Sequence, residues 1–168
     1  LALFAAAVVL GLALAFVSGA VVLLVGAAGM AVGPLYNYGP RPISHTPFGE
    51  LAAGGFLGAI LFALAYYLQA RRLGPAAWIS SLPLFLLVAS ILTVNNTCDI
   101  EGDREAGRRT LSIIVGRAWG EVLVYGFGVL AYALTALQIQ RGALPRLAAA
   151  SGAAALACER TQATARAA

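Results

Sequence analysis

Four of the chain's seven acidic residues fall between Asp99 and Glu105, directly after an apolar run: Asn95-Asn96-Thr97-Cys98-Asp99-Ile100-Glu101-Gly102-Asp103-Arg104-Glu105. Asn95, Asp99 and Asp103 stand four residues apart, so on a helix they share one face at intervals of about one turn. Two carboxylates so placed repel, and a divalent cation turns that repulsion into coordination. Hard oxygen donors with an amide nearby suit Mg²⁺, which keeps several waters and takes one or two carboxylates together with substrate phosphates. Arg104, Arg108 and Arg109 follow and add fixed positive charge for the same phosphate. Asp99 and Asp103 are thus the candidate catalytic carboxylates and metal ligands. The same run also suits a solvated helix end with exposed ion pairs, which contribute little. Asn95 and Asn96 weigh against that, because polar groups at the membrane end of an apolar run need a reason.

A second polar stretch runs from Tyr36 to Glu50, with three prolines and two glycines that force turns. Arg41 lies between prolines that limit its backbone freedom. His45 is the only histidine, and a lone loop histidine is more often structural than a base or a ligand. Glu50 opens the next apolar run. It is either a first-turn carboxylate favoured by the helix dipole or a polar group facing the site.

The elements that must hold these stretches are membrane helices. Hydrophobic residues make up 61% of the 168 and charged residues 11%, against about 25% charged in soluble domains. That balance excludes a soluble globular enzyme, a disordered chain and a nucleic-acid module. A spanning helix needs about 20 apolar residues. Six runs qualify: Leu1–Val17, Ala20–Leu35, Leu51–Leu68, Ala76–Val94, Trp119–Ile139 and a shorter, Ala-rich Leu144–Ala157. The expected fold is therefore all-α, a multi-pass transmembrane helical bundle of about six spans. Gly54, Gly55 and Gly58 in the third run are placed to let a neighbouring helix approach closely.

Alternation puts the two polar stretches at one end of the bundle and Ser18-Gly19, Gln69–Pro75 and Gln140–Arg146 at the other. All eleven basic residues are arginine; five lie in the first set of loops and four in the second. That bias leans toward a cell-membrane protein with its polar loops in the cytoplasm. The arginines form no basic stripe of the kind nucleic acid needs. Cys98 and Cys158 show no metal-ligand spacing. Residues 1–158 read as one partial transmembrane domain, and residues 159–168 as a polar, disordered tail. The abrupt apolar start at Leu1 reads as a truncation.

Together the two polar stretches resemble the UbiA superfamily of membrane prenyltransferases. Asn95 to Leu111 looks like that family's second aspartate-rich motif and its continuation. Gly39-Pro40-Arg41-Pro42-Ile43-Ser44 and Thr46-Pro47-Phe48-Gly49-Glu50-Leu51 are most similar to the 1,4-dihydroxy-2-naphthoate polyprenyltransferase branch of menaquinone synthesis. The resemblance implies about nine membrane helices around a cavity in which two Asp-rich motifs hold Mg²⁺ and the diphosphate of a polyprenyl donor. Carried over, Asp99 and Asp103 are metal carboxylates and Asn95 lines the same face. With Asn96, the implied substrate-binding residues are Arg104 and Arg109 at the diphosphate and Tyr36 and Arg41 near the substrates. The partners implied are polyprenyl diphosphate, an aromatic acceptor and the lipid bilayer.

Two departures stand out. Upstream of Asp99 the only acidic residue is Glu50, so the first Asp-rich motif is missing and would precede Leu1. Cys98 stands where this branch usually has arginine. The expected chemistry is electrophilic prenylation of an aromatic ring, and the 168-residue chain alone is expected to be inactive. The alternatives are another aromatic or haem prenyltransferase of the superfamily, or an ion-transport fragment in which Asp99 and Asp103 relay ions.

Overall fold

The computed structural model describes residues 2–142, and every structural statement below concerns those residues. They are helical, with no strand among them. Helix α1 (Ala2–Ser18) and α2 (Ala20–Asn37) are joined by Gly19 at φ +95°, a conformation open to glycine at no steric cost. A single 3₁₀ turn (Ile43–His45) precedes the third span. That span is α3 (Gly49–Ala53), a π-helical stretch (Gly54–Ile60) and α4 (Leu61–Ala70). The next elements are α5 (Pro75–Cys98), the short α6 (Ile100–Glu105) and α7 (Leu111–Val115), and then α8 (Arg117–Gln140).

Four helices are long and apolar enough to cross a membrane: Ala20–Asn37, Gly49–Ala70, Pro75–Cys98 and Arg117–Gln140. Helix α1 is apolar and 17 residues long, about 26 Å at 1.5 Å per residue and so at the short end of the spanning range. The run expected at Leu144–Ala157 and the expected tail lie outside the described residues.

Helix α5 is the hub. The third span packs against it through glycines, as expected for two of the three. A Cβ on Gly58 would sit 2.6 Å from Phe85 Cα, and one on Gly54 would sit 2.8 Å from the Phe85 carbonyl oxygen. Gly55 is different: nothing lies within 4 Å of where its Cβ would be. Helix α8 packs on another side of α5. Gly120 lets Thr97 approach, and the Thr97 and Ser112 hydroxyls are 2.9 Å apart. The largest fully buried side chains are Thr93, Thr110, Ser81 and Ser112, while Leu3 and Phe16 are almost wholly exposed. Small and hydroxylated residues inside, large apolar ones outside, is the pattern of a bundle solvated by lipid.

Long-range bonds serve a proline inside one helix and the end of another. Pro83 lies inside α5 and has no N–H, so the Ile79 carbonyl four residues earlier loses its helical partner. Gln138 Nε2 on α8 donates to that carbonyl at 2.9 Å. Arg71 ends α4 in the left-handed conformation, at φ +55°. Its guanidinium reaches back to the Ser18 carbonyl at 3.0 Å, at the C-terminus of α1, where a cation is favoured. That bond brings the α1–α2 break and the α4–α5 loop to the same end of the bundle.

Candidate active site

The opposite end carries both polar stretches, and backbone geometry ties them together. The Arg109 N–H donates to the His45 carbonyl at 2.9 Å. Thr46 Oγ1 donates to the Ile43 carbonyl at 2.7 Å and holds the 3₁₀ turn in place. His45 therefore contributes its main chain to this tie.

Below this end lies a cavity of about 610 Å³ between α2, the third span and α5. Its walls are apolar, with Gly29, Phe56, Ile60 and Leu92 among them, and its polar residues are Tyr36, Asn37 and Asn95. Tyr36 and Asn37 form the last turn of α2 and Asn95 the last turn of α5, so polarity is confined to the end beneath the loops.

Asp99 and Asp103 follow Asn95 at intervals of one turn, and the i→i−4 bonds continue through them. Asp99 N–H donates to Asn95 O at 3.2 Å, and Asp103 N–H to Asp99 O at 2.8 Å. The face is not straight, however. Asp99 adopts φ −110°, ψ +30°, which separates α5 from α6. As a result Asn95 lines the cavity, Asp99 is exposed, and Asp103 is buried. The Asp99 carboxylate lies over Gly102, where a Cβ would come within 2.5 Å of Oδ1.

Asp103 is held by a helix-ending motif. The Arg108 N–H donates to the Asp103 carbonyl at 2.9 Å and the Gly107 N–H to the Arg104 carbonyl at 3.1 Å, with Gly107 at φ +72°. This is the paired bond pattern of a Schellman motif, and it needs glycine at the left-handed position. It folds Arg108 back, so that its Nη1 donates to Asp103 Oδ1 at 2.9 Å. Asp103 Oδ2 and Arg108 Nε remain buried without a hydrogen-bond partner.

The other expected site residues divide into two groups. Tyr36 is half-buried on the cavity wall. Arg41, Arg104 and Arg109 are exposed and form no ion pair among the described residues. Asn96 is buried and donates through Nδ2 to Glu50 Oε1 at 2.8 Å. That bond joins residues 46 apart in sequence, and spacing rules could not have found it. Glu50 is a first-turn residue of α3, buried and bonded to Asn96, and it does not line the cavity. Arg117, at the start of α8, pairs with Glu101 at 2.9 Å on the surface.

No group of three or more His, Cys, Asp or Glu side chains converges on a point among the described residues. The donors present, one exposed carboxylate and one buried carboxylate oxygen lacking a partner, do not form a closed ion cage. Their donor type, hard carboxylate oxygen, is the type that Mg²⁺ takes once or twice alongside substrate phosphates.

The described residues thus place an apolar cavity beneath an end that carries Asp99, Asp103 and three arginines without ion pairs. The chain matches the UbiA prenyltransferase family over residues 1–167, and it belongs to that family. It is 36% identical over 132 residues to a 1,4-dihydroxy-2-naphthoate octaprenyltransferase of Bacillus subtilis, covering 79% of this chain and 42% of that protein. To the enzyme of the same name from Mycobacterium tuberculosis it is 34% identical over 125 residues, covering 74% and 43%. A UbiA prenyltransferase domain-containing protein 1 of Dictyostelium discoideum is 34% identical over 95 residues, covering 56% and 29%. The chain thus spans about two fifths of the length of the two bacterial relatives. No solved structure matches it.

Proposed function

We propose that the intact protein transfers a polyprenyl group from polyprenyl diphosphate to an aromatic acceptor, and that the acceptor is 1,4-dihydroxy-2-naphthoate on the route to menaquinone. The observation that carries this reading is the cavity: apolar along its walls, polar only at the end where Asn95 leads into Asp99 and Asp103. The similarity to proteins named for that acceptor supports the choice of substrate.

Each residue then has a task. The apolar walls hold the prenyl tail and keep water away from the reactive allylic carbon. Arg104 and Arg109, exposed and without ion pairs, meet the diphosphate, and Arg41 and Tyr36 approach the substrates from the other loop. Asp99 and the free Oδ2 of Asp103 would hold Mg²⁺. When bound, that ion supplies positive charge against the charge that develops on the departing diphosphate. The C-termini of α2 and α5 both reach this end, and their dipoles favour a cation there. On this reading the end faces the cytoplasm, which the five-to-four arginine count supports.

The test is transfer by the full-length protein, using labelled polyprenyl diphosphate, magnesium and a panel of aromatic acceptors. Asp99→Ala and Asp103→Asn should each lower the rate at least about a hundredfold, the scale of losing one charge-stabilising group. Asn at 103 keeps an oxygen acceptor for Arg108 Nη1, and thermal unfolding of the variant checks that the fold survives the lost charge. If both variants transfer at wild-type rates, the carboxylates have no metal role. If 1,4-dihydroxy-2-naphthoate is refused while another ring is accepted, the substrate assignment fails.

A further inference from the structure

Asp103 and Arg108 form an incomplete pair. A guanidinium commonly meets a carboxylate through two parallel hydrogen bonds, which close both oxygens. Here one bond joins them, from Arg108 Nη1 to Asp103 Oδ1 at 2.9 Å. Two atoms of the pair are buried without a partner among the described residues: Asp103 Oδ2, an acceptor, and Arg108 Nε, a donor. The Asp103 side chain is 5% exposed, and leaving a buried carboxylate oxygen unpaired is costly.

The backbone sets the approach. Gly107, at φ +72°, turns the chain so that the Arg108 N–H bonds to the Asp103 carbonyl, and the side chain then meets the carboxylate of the same residue. A leftover acceptor on the anion and a leftover donor on the cation suit a ligand that carries both signs: a divalent metal ion for Oδ2 and an anionic oxygen for Nε. Either one alone meets an opposing charge. A metal ion at Oδ2 feels the guanidinium bonded to the same carboxylate, and an anion at Nε feels the carboxylate. When both arrive, each offsets the charge that opposed the other.

We infer that Arg108 is a positioning residue that makes metal binding at Asp103 conditional on a diphosphate-type anion. A bare metal ion is held off, and a metal ion accompanied by the anion is accepted. The assignment rests on the metal role given to Asp103 in the transferase reading above, and it adds the residue that couples the two ligands.

The experiment is binding to the full-length protein without turnover. Mn²⁺, which takes the same hard oxygen donors as Mg²⁺, is followed by electron paramagnetic resonance, and inorganic diphosphate by calorimetry. Wild-type protein should bind diphosphate at least about fivefold more tightly in saturating magnesium than in chelator, the low end of coupling between two sites. Arg108→Gln removes the charge, so Mn²⁺ alone should bind about fivefold more tightly and diphosphate in chelator more weakly. A merely structural role would weaken both. Arg108→Lys keeps the charge and should hold Mn²⁺ within about twofold of the wild-type affinity. Asp103→Asn added to Arg108→Gln should abolish the gain, which locates it at this carboxylate. Mn²⁺ affinity that is unchanged or weaker in Arg108→Gln, an equal gain in Arg108→Lys, or a gain that survives Asp103→Asn would each overturn the assignment. Should Arg108→Gln fail to fold, Gly107→Val keeps every charge and meets no atom within 4 Å of its Cβ, but it opposes the left-handed turn that returns Arg108. The same gain in Mn²⁺ affinity is expected there, and its absence overturns the assignment. Transfer activity read in parallel separates the two proposals. Turnover with unchanged Mn²⁺ affinity in Arg108→Gln retires the Arg108 assignment alone, whereas the expected gain without transfer to any acceptor retires the transferase reading alone.

Discussion

The two walls of the cavity are built differently. The wall made by the third span and α5 is fixed at backbone distance, with Gly54 and Gly58 pressed against Phe85. The wall made by α2 is not. Helix α2 has one buried residue, Val22, and the glycines it turns to the cavity have nothing within 4 Å of a would-be Cβ. The first wall also carries Asn95 and leads on to Asp99 and Asp103, where the proposed transfer would need positions held to fractions of an ångström. The second adds Tyr36 and Asn37 at that same polar end, but the rest of its lining, from Val25 to Gly33, is apolar or glycine.

The contrast predicts its largest effect at Gly58. Alanine there puts a Cβ 2.6 Å from Phe85 Cα, and no rotamer relieves a clash between backbone atoms. The α5 packing must open, at a cost of about 3 kcal/mol or more. Gly55→Ala, three residues away, meets open space and should gain up to about 1 kcal/mol from helix propensity. Thermal unfolding of the two variants in detergent checks the pair. Equal stability would mean that the third span does not bear on α5 as described.

A smaller effect is expected at Gln138, which supports the rigid wall from behind. Gln138→Ala leaves the Ile79 carbonyl without a donor, since Pro83 cannot supply one. The loss should be about 1–2 kcal/mol. Pro83→Ala restores the missing N–H, so adding it to Gln138→Ala should recover part of that loss. A double-mutant cycle reads the coupling. Strict additivity would show that the Gln138 bond does not compensate for the proline.

The course of the helices was legible in the sequence because apolar runs of membrane length have few other uses. Their ends were less so. Hydropathy stops the second span at Leu35, but the helix continues to Asn37, because a polar last turn suits a helix that emerges beside a polar cavity end. Glycine spacing found Gly54 and Gly58 but could not separate them from Gly55, since only the partner helix decides which glycine is pressed. At the site, the four-residue spacing of Asn95, Asp99 and Asp103 correctly put them on successive turns. It assumed a straight helix, and the bend at Asp99 sends the three side chains to a cavity wall, to the surface and into the interior. The Glu50–Asn96 bond and the return of Arg108 onto Asp103 depend on tertiary approach and on a left-handed Gly107. Of these only the glycine leaves a trace in the sequence.

The smallest expected effect on stability is also the sharpest test of the loose wall. Gly29 lies on the cavity face of α2 with open space where its Cβ would be. Leucine there should leave thermal stability unchanged to within about 0.5 kcal/mol, since nothing must move. On the proposed function its side chain would occupy volume that a prenyl tail fills. Excluding even part of an isoprene unit costs about 1–3 kcal/mol of binding, so the longest donors should lose roughly tenfold or more in transfer rate relative to the shortest. Assay of Gly29→Leu against a ladder of prenyl diphosphates reads that ratio. A uniform drop across the ladder would mean that α2 holds the diphosphate end and not the tail. An unchanged ladder together with a large loss of stability would mean that this wall is as tightly set as the one facing it.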